Sequence, residues 1–242
     1  MTDHDASCPT DHDASGLTDH TFDPILLNRR VEGLAASHQH LLGVMEHLLD
    51  DMSSRSSSLP GWTVGHVLAH LEQNARAMTR MVDAAELGEV AEMYPGGVDA
   101  RSRAIETFAT RSADEQRRQI RQSIYELEGA FARARQGWYG FGRSTTGAEI
   151  PIVDLPLRRW REVEVHLGDL GLEELGPTGS AAWSDAYVRD DLLVLSMQWK
   201  SRGSMGLNDL PPLVATRPPR ERLAWLLGRL HVDGLAPAGV MT

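Results

Sequence analysis

Cysteine is almost missing from this chain. Cys8 is the single one in 242 residues, so no disulfide within the chain can hold the fold together. A reducing compartment fits that scarcity, and a cytoplasmic location is the expectation. Cys8 also lies in a polar N-terminal stretch, where nothing pre-organises a nucleophile. Any thiol chemistry therefore needs a thiol from outside the chain. Lysine is as scarce, since Lys200 stands alone among the 24 basic residues. No apolar run approaches the roughly 18 residues that a membrane span requires, so no membrane partner is expected. The start is acidic and polar, unlike a secretory signal, which opens basic and continues apolar. An excess of positive charge is missing too. The formal net charge is −10, and a protein that grips phosphate backbones is normally basic. Nucleic acid is not an expected partner.

What remains is the balance of an ordinary globular protein, 41% hydrophobic and 24% charged. The length suits one large domain, or a domain with a small appendage. Residues 1 to 22 repeat themselves: TDHDAS occurs at Thr2–Ser7 and Thr10–Ser15, and TDH returns at Thr18–His20. The segment is polar and acidic, and it reads as a disordered tail.

Helical spacing begins at Pro24 and runs to about Leu49, carried by Ile25, Leu26, Val31, Leu34, Leu41, Leu42, Met45, Leu48 and Leu49. The polar stretch Asp50–Ser58 breaks the pattern, and SRSSSLPG, residues 54–61, reads as a loop. Thr63 is a suitable N-cap for a second helix reaching about Leu87. Pattern resumes near Asp99 and continues to about Gln136 with a break around Ser112. A glycine- and aromatic-rich stretch follows, then a short strand at Glu149–Val153. A fourth main helix covers Leu155 to Leu170 and stops at Gly171. Beyond it the spacing predicts a helix over Ser184–Ser201, a strand around Leu213–Thr216 and a helix near Arg220–Leu230. Four amphipathic helices are the signature of a bundle. The expected fold is mainly α: a four-helix bundle over residues 23–175 and a small C-terminal α/β region over 176–242.

Two pairs of residues stand out for chemistry. Glu162 and His166 are four apart on one predicted helix, so both side chains share a face. A carboxylate and an imidazole at that spacing can supply two ligands to a metal such as zinc. An incidental polar pair on an amphipathic helix has the same spacing. His66 and His70 are likewise four apart on the second helix. Facing helices of a bundle build metal sites between them, but spacing alone does not say which histidine would be the ligand.

The segment LPGWTVGHVLAHLEQNA, Leu59–Ala75, resembles the second helix of the mycothiol-dependent maleylpyruvate isomerases, a branch of the DinB-like metal proteins. Arg161-Glu162 followed by His166 resembles the RExxxH motif of that family, MYPGGVDAR (Met93–Arg101) its segment after the second helix, and LLGR (Leu226–Arg229) its late arginine motif. The resemblance spans most of residues 24 to 235. It implies a DinB-like bundle, a divalent metal, zinc first, on His70, Glu162 and His166, and mycothiol as a thiol cosubstrate. It further implies a small dicarboxylate substrate, maleylpyruvate, isomerised to fumarylpyruvate by thiolate addition, bond rotation and elimination. Two carboxylates call for arginine: Arg229 is the first candidate by resemblance, followed by Arg101 and Arg76. Asn74, one turn from His70, is a further candidate substrate contact. A thiol S-transferase of the same fold and a non-catalytic metal-binding bundle are the competing readings. A monomer or a homodimer is expected.

Overall fold

The computed structural model describes residues 22–202 and 209–239. The repeat tail over residues 1–21, with Cys8, lies outside the described residues. Each long helix begins where the sequence supplies a cap. Asp23 accepts hydrogen bonds from the Ile25 and Leu26 N–H groups, and Pro24 occupies the first turn of α1 (Pro24–Met45). The polar stretch after it holds one short helix, α2 (Asp50–Ser54). Thr63 opens α3 (Val64–Glu86) through a capping box: its hydroxyl accepts from the His66 N–H, and His66 Nδ1 accepts from the Thr63 N–H. Gly96, in the left-handed region at φ 82°, turns the chain into α4 (Gly97–Ala109). Ser112 caps α5 (Ala113–Arg133).

Two short antiparallel strands follow, β1 (Phe141–Arg143) and β2 (Glu149–Pro151), with Gly142 opposite Ile150. The strand expected at Glu149–Val153 is present over Glu149–Pro151, with Ile152–Asp154 turning into a 3-10 helix, and its partner is a segment of the glycine- and aromatic-rich stretch. Then come α6 (Leu155–Asp169), α7 (Asp185–Ser201), α8 (Pro212–Ala215) and α9 (Pro219–Leu226). The strand expected around Leu213–Thr216 is instead helical, as α8. Pro211 and Pro212 are the reason, because proline fixes φ near its helical value and cannot donate to a ladder. Among the described residues all strand structure lies in the hairpin between α5 and α6, and the C-terminal region is built of helices.

α3 is the centre of the bundle. Val67, Leu68, Leu71 and Met81 are fully buried, and the helix packs against α4, α5 and α6. α1 covers α6 and α5 from the other side. Gly33 on α1 leaves room for the Trp160 ring, which a Cβ would strike. α6 carries the deepest polar ties. Glu164 is buried and accepts from Ser37 Oγ at 2.6 Å, the Ser184 N–H at 2.8 Å and Trp160 Nε1 at 3.2 Å. Arg161 donates to Asp191, which also accepts from Tyr187 Oη at 2.9 Å, so α7 is tied to α6. α7 packs in turn on α9, with Trp199 edge-on to Trp225. No helix among the described residues is long and apolar enough to cross a membrane.

Candidate metal centre

The packing of α3 on α6 brings three side chains to one point. His70 Nε2 lies 2.8 Å from Glu162 Oε2, and His166 Nε2 lies 3.3 Å from the same oxygen. The two imidazoles meet edge to face with ring centroids 4.7 Å apart. One ligand atom from each of the three lies within 4.8 Å of the others. A tetrahedral ion with bonds of about 2.0–2.2 Å to nitrogen and oxygen separates its ligands by about 3.3–3.6 Å. The spacing thus fits a divalent metal. Two nitrogens and a carboxylate are the donor set of a site that keeps its fourth position open.

What stands behind each imidazole differs. His166 Nδ1 lies 2.9 Å from Asp169 Oδ2, and Arg229 grips Asp169 through Nε at 3.0 Å and Nη2 at 2.8 Å. A carboxylate behind a histidine fixes the tautomer, with the proton on Nδ1 and the Nε2 lone pair turned to the metal position. His70 has a cation behind it: Arg101 Nη2 donates to His70 Nδ1 at 2.8 Å, which puts the imidazole proton on Nε2 toward Glu162, and a metal ligated by Nε2 would have to displace it. The Arg101 guanidinium also lies over the Tyr94 ring, 5.2 Å from its centroid. Trp62 stands edge-on to His70 at 6.0 Å.

These surroundings set the charge of the centre. Burial draws His166 down, but hydrogen bonds to Asp169 and Glu162 and their negative charges outweigh it, so its pKa rises to about 9, and a metal ligated by Nε2 would have to displace the proton held there toward Glu162. Burial dominates at His70 and lowers its pKa, against the opposing pull of Glu162. Burial pushes Glu162 up, yet the two imidazoles more than offset it and hold the carboxyl well below its usual range. Glu162 is therefore in the ionised form that a ligand requires.

The other residues singled out from the sequence fall in different places. Arg229 lines a small cavity of about 90 Å³ with Glu162, Val165 and His166, and spends two of its nitrogens on Asp169. Arg101 is at the centre, beside His70. Asn74 is buried, and its Oδ1 accepts from Arg159 Nη1 at 2.9 Å. Arg76 pairs with Glu72 and with Gln119. Neither Asn74 nor Arg76 lines the cavity at Glu162. His66 is taken up by Thr63 and by Glu106, 3.2 Å from its Nε2. Glu164 turns away from the centre, into the buried contacts described above. Sequence reasoning missed Asp169, Tyr94 and Arg159. Asp169 alone left a signal, a carboxylate one turn beyond His166 on the same helix.

A family model described as the mycothiol maleylpyruvate isomerase N-terminal domain matches residues 34–171, more than half of the chain. Two solved structures share the architecture. One is a crystal structure of the mycothiol-dependent maleylpyruvate isomerase, 22% identical, with a TM-score of 0.70 over 84% of this chain and 89% of that one. The other is a histidine-to-alanine mutant of a mycothiol-dependent maleylpyruvate isomerase, 24% identical, with a TM-score of 0.65 over 73% and 72% of the two chains. At these identities the likeness carries the fold. No curated protein matches.

Proposed function

The chain belongs to the mycothiol maleylpyruvate isomerase N-terminal domain family, and from that membership we propose that it is a metal-dependent cis–trans isomerase. It takes mycothiol as thiol cosubstrate and converts maleylpyruvate to fumarylpyruvate. The observation that carries this reading is the convergence of His70 Nε2, Glu162 Oε2 and His166 Nε2 beside an open cavity. Those three side chains would hold the metal, with zinc the first choice for two imidazoles and a carboxylate. The ion would supply a Lewis acid that favours the thiolate form of a bound thiol.

Thiolate is the nucleophile in thiol chemistry, and no cysteine stands among the described residues. The cosubstrate thiolate forms a carbon–sulfur bond at the conjugated double bond, and the displaced electron pair moves onto the adjoining carbonyl. The former double bond is now single and rotates. Return of the electron pair expels the thiolate and leaves the trans isomer, so the thiol is regenerated. The chain's own groups orient these partners. Asp169 fixes the His166 imidazole, and Arg229 fixes Asp169. Arg101, beside His70, is the arginine best placed for a substrate carboxylate. Arg229 can add a second contact through Nη1, which makes no hydrogen bond among the described residues.

The test is turnover of maleylpyruvate by metal-loaded protein with and without mycothiol. Fumarylpyruvate that forms only with the thiol is the expected result. A stable thioether in its place would make the protein an S-transferase. Bound metal with neither product would reduce it to a binding bundle.

A further inference from the structure

α6 presents one continuous stripe, Asp154, Leu157, Arg158, Arg161, Glu162, Val165 and His166, whose members recur three or four residues apart. Two cavities open along it, and both are lined by Arg161. The nearer is the small one at Glu162 and His166. Its volume of about 90 Å³ admits reacting atoms but no large group. The farther has about 490 Å³, within the range of roughly 300–1,000 Å³ typical of small-molecule sites. Its walls come from α1, α6, α7 and the β1–β2 hairpin.

The farther cavity carries both signs of charge. Arg30 and Arg158 supply donors, Glu149 and Asp154 supply acceptors, and Thr146 and Gln198 supply groups that do either. Arg30 Nε is buried and has no hydrogen-bond partner among the described residues. Arg158 feels the charge of Asp154 one turn away, but it makes no ion pair among the described residues. An apolar ligand would strand these groups without partners. A dicarboxylate would meet Glu149 and Asp154 with like charge. A polyol suits both sets at once, because each hydroxyl accepts from guanidinium and donates to carboxylate.

Arg158 and His166 are eight residues apart on α6, which is about 12 Å along the axis at ~1.5 Å per residue. That distance matches a ligand with a thiol at one end and hydroxyl-rich rings at the other. Mycothiol has that form, a cysteine joined to a pseudodisaccharide of amino sugar and inositol. The geometry points to the cavity between Arg30, Arg158 and the hairpin as the subsite for the pseudodisaccharide, with the thiol directed along α6 to Glu162 and His166. The assignment rests on the proposed function, since it takes its thiol from that reading.

Calorimetry on the metal-loaded protein tests it, with mycothiol and with the sulfur-free glucosaminyl-inositol as probes. The glucosaminyl-inositol should bind and compete with mycothiol. Arg158→Ala and Gln198→Ala should each weaken both ligands, Arg158→Ala by about 10- to 100-fold, while the KM for maleylpyruvate stays within about twofold. Arg158 is exposed and outside the core, so its removal leaves the fold intact. Mycothiol binding as tight in both variants as in the unaltered protein would overturn the subsite and leave the isomerase reading standing. A rise in the KM for maleylpyruvate alone would give the cavity to the dicarboxylate instead. Glucosaminyl-inositol that binds through Arg158 without any isomer forming would keep the subsite and remove the isomerase. If neither ligand binds the unaltered protein, both fail.

Discussion

Two of the helices packed on α3, α5 and α6, meet it through different chemistry. Toward α5 the contact is mainly apolar, with Val67, Leu68 and Leu71 of α3 and Ile120, Ile124 and Leu127 of α5 all fully buried, and polar ties such as Arg76 to Gln119 and Arg133 to Asp83 stay at its margin. Toward α6 it is threaded with polar groups. Arg159, with no exposed surface, donates from Nη1 to the Leu71 carbonyl at 2.8 Å and to Asn74 Oδ1, and from Nε to His38 Nε2 at 3.3 Å. His38 Nδ1 in turn lies 2.9 Å from Glu128. Burial lowers the Arg159 pKa to about 10, which leaves it charged. Apolar burial is non-directional and supplies most of the stabilisation. Hydrogen bonds to a buried guanidinium name their partners one by one. Arg159 is three residues before Glu162, and Leu71 is next to His70. The polar seam therefore sets the register at which the ligands meet, while the apolar seam holds the bundle closed.

The sharpest way to break that division is at the ligands. His70→Ala should abolish metal retention, read as metal per chain after gel filtration, and with it all turnover. His66→Ala should keep the metal, because His66 serves the α3 cap and Glu106. Equal metal loss in both variants would show that the centre lies elsewhere. Next in size is the apolar seam. Ile124→Ala should cost about 2–5 kcal/mol of stability, measured by urea unfolding. The metal content of the folded fraction should not change. Lost metal in a still-folded Ile124→Ala protein would mean that the two seams are not separate in function.

The polar seam predicts a pH effect. Arg159 donates to His38 Nε2, so that nitrogen keeps its lone pair and the proton sits on Nδ1 toward Glu128. Burial, aided by the Arg159 charge and opposed by Glu128, pushes the His38 pKa down from 6.5 to about 4. The unfolded chain then binds a proton that the folded one refuses between about pH 6.5 and 4. Stability contributed by His38 is full above 6.5 and lost as pH falls toward 4, by about 3 kcal/mol in all. His38→Gln should flatten this part of the stability–pH curve. Parallel curves for the two proteins would refute a neutral, buried His38.

The two seams were not equally legible in the sequence. Periodic apolar residues announce α1, α3 and α5, and Thr63 marks the start of α3, because helical spacing and orphaned N–H groups leave local marks. The Glu162 and His166 pair shows for the same reason. The choice between His66 and His70 does not follow from spacing, although Thr63 three residues before His66 marks a capping box that would take His66 up. Arg159 carries no mark at all, since an arginine in a run of arginines reads as solvated surface. Its partners Leu71, Asn74 and His38 are 85 to 121 residues away. The segment expected as a strand at Leu213–Thr216 is ambiguous on its own, because Leu213, Val214 and Thr216 suit a strand while Pro211 and Pro212 before them suit a helix start.

The smallest expected effect separates support of a ligand from contact with substrate. Asp169 touches His166 on one side and Arg229 on the other, so it is the only described carboxylate joining the centre to the C-terminal helices in this way. Asp169→Asn keeps the shape but removes the charge that holds the His166 tautomer. Metal affinity should fall by about 10- to 100-fold, as is usual when such a partner of a ligating histidine is lost. Arg229→Ala then sharpens the result. If Arg229 acts through Asp169, its loss weakens metal binding in the same direction and to a smaller degree, with the KM for maleylpyruvate changed little at saturating metal. If it grips a substrate carboxylate through Nη1, metal affinity stays and that KM rises. Metal titrations with a competing chelator, run beside the kinetics of both variants, tell the two apart. An unchanged metal affinity in Asp169→Asn would remove Asp169 from the support of His166 and leave the Arg229 pair as a tie between α6 and the C-terminal region.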